Sequence, residues 1–220
     1  MKKKYFTAIF CLIYIVLCKN VFAEDILERV EKAFSETQTF QADFIQEANN
    51  IELDMKNTSR GKIFLSKKPS QVRWNYTSPD VLMFLLTDNH FLYYSEEDNQ
   101  VVKRKTSENA VLNTPVFLLA GKGKVSEKFK VDRIVHDKKS KLFGLLLIPK
   151  ESSESYKKII LGVDDKECKI QKISIVDLAD NRTSITFLNQ KINAKLPEKI
   201  FDFQIPKDAE VITNKDLAGF

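Results

Sequence analysis

Two serine–lysine pairs, Ser59-x-x-Lys62 and Ser155-x-x-Lys158, are the spacings in this chain that come nearest to a nucleophile with its base. A serine attacks only when a base within hydrogen-bond reach takes its proton. A chain this rich in Ser and Lys throws up such spacings by chance, so neither pair is read as catalytic. The histidines, His90 and His136, fall in separate strand-like regions without a Ser, Cys or acid at an informative spacing, and each reads as a surface or strand-end side chain. Asp164-Asp165 reads as a turn rather than as metal ligands. HExxH, CxxC, a glycine-rich phosphate loop and Gly-x-Ser-x-Gly do not occur. No catalytic residue, metal ligand or cofactor is therefore expected, and what is left is apolar contact.

That contact is concentrated between Gly61 and Val102. Val81-Leu82-Met83-Phe84-Leu85-Leu86 is apolar at every position, so both faces of such a strand need cover. Two readings compete. Helices cover one face and loops the other, or one face shelters a greasy ligand.

The elements around this segment follow from periodicity. Ile26, Val30, Ala33 and Phe34 recur at helical spacing within Asp25–Ser35, with Leu27 broadening the stripe and Asp25…Glu28 resembling a capping box. The period then drops to two at Phe40, Ala42 and Phe44. Asn49 to Ser59 reads as a loop or a weakly paired hairpin. Strands are expected at Lys62–Ser66, Gln71–Tyr76, Val81–Thr87, Phe91–Ser95 and Gln100–Lys105. Further strands are expected at Lys128–His136, Leu142–Pro149, Lys157–Val163, Ile170–Asp177 and Thr183–Ile192. The breaks carry turn residues, and short strands at such even spacing predict an antiparallel meander, closed or nearly closed. Between the two groups, Asn113-Thr114-Pro115 through Gly121 suits a helix of under two turns, with a capping Thr114, Pro115 at its first position and no polar face.

The N-terminus reads as an export signal. Lys2, Lys3 and Lys4 precede an apolar run from Tyr5 to Cys18, and Val21-Phe22-Ala23 suits cleavage after Ala23. Cys18 makes a poor lipidation site, because the residue before it is Leu17 rather than a small one. The expected division is residues 1–23 as signal and 24–220 as one domain. The whole chain has 35 Lys and Arg against 30 Asp and Glu, and four of those basic residues leave with the signal. The near-neutral remainder argues against a nucleic-acid partner. Cys168 would be the only cysteine left, so no internal disulfide is expected, and it reads as a half-buried strand residue.

Several motifs, in order and at matching gaps, resemble the LolA family of periplasmic lipoprotein carriers. They are Thr39-Phe40-Gln41-Ala42-Asp43-Phe44-Ile45-Gln46, then Gly61-x-Ile63-x-Leu65-x-x-Lys68-Pro69 with Arg73-Trp74 and Pro79, then Asn113-Thr114-Pro115 through Ala120. Leu147-Ile148-Pro149-Lys150 and Phe201-x-Phe203-x-Ile205-Pro206 complete the set. The resemblance implies a mainly β, single-domain incomplete antiparallel barrel (a half-barrel) covered by a helical lid. It implies a periplasmic monomer that takes the acyl chains of lipoproteins released by an inner-membrane ABC transporter and passes them to an outer-membrane receptor. On that reading the cavity wall would draw on Phe40, Phe44, Phe64, Trp74, Leu82, Phe84, Phe91, Val116, Phe117 and Leu118. In the family an arginine before the central proline latches the lid through backbone carbonyls. That position is Lys68 here, with partners expected at Phe34, Leu119 and Ala120 and a latch shared with Arg73 as a variant of the idea. A receptor or a lipid- or peptide-sensing regulator of the same fold are the alternatives, and a periplasmic hydrolase is disfavoured by the missing triad.

Overall fold

Alternation along Thr39–Asn50 buries Phe40, Ala42 and Phe44 and leaves their neighbours partly exposed, as in a strand with one face against a core. The computed structural model describes residues 25–105, 124–153 and 155–213. Their strands are β1 (Thr39–Asn50), β2 (Met55–Ser66), β3 (Gln71–Ser78), β4 (Leu82–Leu86), β5 (His90–Ser95) and β6 (Gln100–Lys105). They continue as β7 (Phe129–Asp137), β8 (Leu142–Pro149), β9 (Lys158–Asp164), β10 (Ile170–Val176), β11 (Arg182–Ile192) and β12 (Glu210–Thr213). Helix α1 spans residues 25–36, and α2 (Val125–Lys128) is a single turn leading into β7.

All the strands belong to one sheet, in the order β12-β6-β5-β4-β3-β2-β1-β11-β10-β9-β8-β7. The end strands β12 and β7 do not pair with each other, so the sheet stays open and fits a half-barrel rather than a closed barrel. Neighbours are antiparallel except for β12, which runs parallel to β6 with Val211 opposite Val101. That strand and α2 were not expected from the sequence; each is too short to carry a periodic signal. Of the two readings of Asn49 to Ser59, loop or weakly paired hairpin, the hairpin is found, because β1 and β2 pair from Thr39↔Ser66 to Asn50↔Met55 around a short turn. Its polar residues are no obstacle to strand pairing, since that end of the hairpin is mostly exposed.

Residues directly opposite one another share a face of the sheet. Phe44 lies opposite Gly61 and Phe187, Gly61 opposite Tyr76, and Tyr76 opposite Leu82, which traces the inner face across five strands. On the other half of the sheet this face carries Leu145, Leu147, Ile159, Leu161 and Ile173, all buried with Ile26, Val30 and Phe34 of α1. Arg29 Nη2 donates to the Lys166 carbonyl at 2.8 Å and the Asp165 carbonyl at 3.3 Å, and the Ser126 amide donates to Glu31 Oε1 at 2.7 Å. Asn193 fixes the exit of α1: its Nδ2 donates to the Glu36 carbonyl at 3.0 Å, and its Oδ1 accepts from the Gln38 amide at 2.6 Å.

The outer face explains half of the apolar surplus. Met83, Leu85, Leu92 and Val101 are buried there beneath Phe201, Phe203 and Ala209 of the segment that follows β11. Arg73 ties that segment down, donating from Nη1 to the Ile200 carbonyl at 2.8 Å with its guanidinium 6.0 Å from the Phe203 ring centre. Cys168 also departs from expectation. It is fully buried in the β9–β10 turn at φ 56°, outside any strand, and burial pushes its thiol pKa up. A thiol so placed is held protonated and poorly nucleophilic.

Asp43 joins three strands near the β1–β11 irregularity. Asn189 Nδ2 donates to it at 2.7 Å and Lys62 Nζ at 2.5 Å, and these bonds, the Asn189 one foremost, hold its carboxyl below its ordinary pKa. A carboxyl with a depressed folded pKa adds stability above its unfolded value and loses it as pH falls through the folded one. The Asp43 side chain is 34% exposed and that of Lys62 60%, so solvent screens the pair and Asp43→Asn should cost under about 1 kcal/mol at neutral pH. In urea titrations the gap to the parent protein should close once pH drops below the carboxylate range.

Candidate functional site

The inner face of β3, β4 and β5 holds a cavity of about 240 Å³ lined by Val72, Trp74, Tyr76, Phe84, Leu86, Phe91 and Ile185. No lining side chain is charged. Strand parity builds it: Val72 sits opposite Leu86, Trp74 opposite Phe84, and Leu86 opposite Phe91. Ring contacts run through the wall. Phe44 meets Trp74 edge-on at 4.8 Å and Tyr76 at 4.9 Å, Tyr76 meets Phe84 at 5.7 Å, and Phe84 meets Phe91 at 6.3 Å. The first three pairs are edge-to-face and the last is tilted, and the edge-to-face arrangement is one in which aromatic rings attract beyond their buried area. A larger groove of about 570 Å³ beside α2 mixes Phe129, Pro149 and Tyr156 with Glu127, Lys128, Lys150, Glu151 and three serines, so unlike the first cavity it is lined by charged side chains.

Phe40, Phe44, Trp74, Leu82, Phe84 and Phe91 share the inner face, as the register from β11 to β5 requires. Trp74, Phe84 and Phe91 line the cavity itself. Phe40 and Phe44, 4% and 1% exposed, are packed into the core behind it. Phe64 does not join them. It pairs with Gln41 and Arg73 on the outer face, one residue out of phase with Ile63 and Leu65. Val116, Phe117 and Leu118 lie outside the described residues. The cavity residues that sequence reasoning missed are Val72, Tyr76, Leu86 and Ile185. The first three were within reach, because Val72 and Tyr76 flank Trp74 at period two and Leu86 follows Phe84.

The lysine that reaches the end of α1 is Lys67, one residue before Lys68. Lys67 Nζ donates to the carbonyl of Phe34 and, at 3.2 Å, to that of Ser35. Lys68 is exposed. The reason is again parity: Lys67 continues the inward set Gly61, Ile63 and Leu65, which faces the end of α1, whereas Lys68 follows the outward set. The last turn of a helix presents carbonyls without intrahelical donors and the negative end of its dipole, so an ammonium belongs there. Burial lowers the Lys67 pKa, the desolvation cost of seating the ammonium against these two carbonyls. Of the expected partners Phe34 is found; Leu119 and Ala120 lie outside the described residues. Arg73 takes no part, being committed on the outer face to Ile200 and, at 2.8 Å, to Asn75 Oδ1.

Two hairpin turns at one end of the sheet carry exposed apolar side chains. Ile51, Leu53 and Met55 at the β1–β2 turn are 56%, 63% and 49% exposed, and Leu178 at the β10–β11 turn is 60% exposed. The turns are joined by the Ile51 amide donating to Asn181 Oδ1 at 3.0 Å. Among the described residues no cluster of His, Cys, Asp or Glu could hold a metal ion, and no helix is long and apolar enough to cross a membrane.

An open sheet curled around an uncharged cavity, with a helix pinned across its inner face, defines a binding protein for apolar ligands. The comparisons with known proteins narrow that class. Residues 35–204 match the family model described as outer membrane lipoprotein carrier protein LolA. The chain is 29% identical over 183 residues to an outer-membrane lipoprotein carrier protein of Chromobacterium violaceum, covering 83% of this chain and 85% of that one. It is 25% identical over 193 residues to the protein of the same name in Methylococcus capsulatus, covering 85% and 87%. In fold it resembles an uncharacterized conserved protein of Thermus thermophilus, with a TM-score of 0.55 at 15% identity, covering 87% of this chain and 98% of that one. The chain belongs to the LolA family of outer membrane lipoprotein carrier proteins. It is a carrier and not an enzyme.

Proposed function

We propose that the protein is exported by cleavage after Ala23, works in the periplasm, and shelters the acyl chains of lipoproteins between an inner-membrane ABC transporter and an outer-membrane receptor. The observation that carries this reading is the uncharged aromatic wall formed by Trp74, Tyr76, Phe84 and Phe91. Each acyl methylene kept from water is worth about 0.8 kcal/mol, so a long chain needs roughly 10 kcal/mol of shelter. No single contact supplies that; an extended wall does. Loading and unloading then need no energy source in the chain, because direction comes from differential affinity between transporter, carrier and receptor along the route. The exposed Ile51, Leu53, Met55 and Leu178 support a transfer end at the two hairpin turns.

The test is to incubate the mature protein with spheroplasts and assay lipoproteins in the soluble fraction. The parent protein is expected to release them. Phe84→Asp, which sets a carboxylate in the cavity, should lower the yield roughly tenfold or more while keeping its β-sheet circular dichroism. No release by the parent protein, or equal release by the variant, overturns the proposal.

A further inference from the structure

Acyl chains ask nothing polar of their container, yet one polar pair is built into this wall. Tyr76 lines the cavity, and its hydroxyl donates to Gln46 Oε1 at 2.9 Å. Gln46 shares the inner face, opposite the cavity residue Ile185 on one side and Ser59 on the other. The Tyr76 ring is held between Phe44 at 4.9 Å and Phe84 at 5.7 Å, with Trp74 stacked at 6.5 Å, so the hydroxyl has a defined position. Holding the amide oxygen of Gln46 orients its NH₂ group, which has no hydrogen-bond partner among the described residues. Gln46 also marks a change in the inner face. Toward the middle of the sheet lie Phe44 and Phe187, and toward the β1–β2 turn the face carries Ser59 and Thr183.

An amide NH₂ offers two donors, and a Tyr–Gln pair left against hydrocarbon carries a desolvation cost that an apolar pair avoids. The ligand group that fits is one with acceptors and no donors, seated where apolar wall gives way to polar rim. We propose that Gln46 is a recognition residue for the acyl carbonyls at the root of the cargo chains, whether glycerol ester or N-acyl amide, with Tyr76 as its positioning residue. This rests on the carrier reading above. It adds that the site measures where the chains begin, and so how deeply the cargo is seated. Burial raises the Tyr76 pKa, which keeps the phenol a neutral donor toward Gln46.

Three synthetic ligands test the idea: a triacylated cysteinyl lipopeptide, the same molecule with ether links in place of its glycerol esters, and the diester lacking the N-acyl chain. Their affinities for the parent protein, Gln46→Leu and Tyr76→Phe are read by isothermal titration. A net hydrogen bond predicts that the parent protein prefers the full ligand over the ether analogue, if esters are read, by about 5–10-fold. If the amide is read, the preference over the N-free diester should exceed that of Gln46→Leu by the same factor. Gln46→Leu should lose this excess with its ether affinity unchanged, and Tyr76→Phe, which keeps the ring, should lose most of it. Equal selectivity in the parent protein and Gln46→Leu overturns the subsite while leaving the carrier reading intact. Failure of the parent protein to bind any of the three overturns the carrier reading itself.

Discussion

Gly61→Ala is expected to destabilise the fold by about 3 kcal/mol or more, at the upper end of what overpacking costs. A Cβ at this position would stand 2.0 Å from the Asn75 carbonyl oxygen and 2.8 Å from two atoms of the Phe44 ring. The ring has some room to turn. The carbonyl has none without breaking the β2–β3 ladder, which is already irregular between Arg60 and Gly61. Glycine is required here because β1, β2 and β3 bring Phe44 and the backbone of Asn75 into the space a side chain would fill. The loss should also reach the cavity, since Phe44 buttresses Trp74 and Tyr76. Gly144→Ala is the control. Its Cβ would meet only the Val135 carbonyl at 3.8 Å, an ordinary contact, so a change within about 0.5 kcal/mol is expected, as at other sites free of strain. Urea midpoints for the two variants decide the matter, and equal midpoints would refute the packing account.

The contrast between those glycines shows where sequence reading works. Turn residues bounding strand-like runs were enough to place β6 and β8 at their observed bounds, and helical spacing behind a capping residue placed α1 to within a residue. Those signals are local, and local signals survive without knowledge of partners. What was not legible depends on contacts between distant segments. Whether Phe64 faces in or out is decided by its pairing with Gln41 and Arg73, not by its own hydrophobicity. The all-apolar β4 invites a ligand on either face, and only the packing of Phe201 and Phe203 shows that Met83 and Leu85 serve the core. Tyr76 carries no local signal of its role, because its bond to Gln46 spans 30 residues.

The second large effect is expected at Lys67, and it separates residue number from geometry. Lys67→Met removes the donor that serves the Phe34 and Ser35 carbonyls, leaving the end of α1 with unmet acceptors beside the core. Bonds to charged donors contribute about 1.5–3 kcal/mol when buried, and partial exposure of this one brings the expected loss to about 1–2 kcal/mol. Lys68→Met, at an exposed position one residue on, should change stability by less than about 0.5 kcal/mol. The loss should be local as well as global. In hydrogen exchange, the amides of residues 30–36 should lose protection in Lys67→Met while those of β8 and β9 keep theirs. Helix α1 has other anchors in Arg29, Glu31 and Asn193, so it should fray at its C-terminal end rather than detach. Lys67→Arg should restore protection, because a guanidinium supplies several donors in a fork wide enough for two carbonyls. If Lys68→Met matched or exceeded Lys67→Met in either measurement, strand parity would not be what sets the anchor of α1.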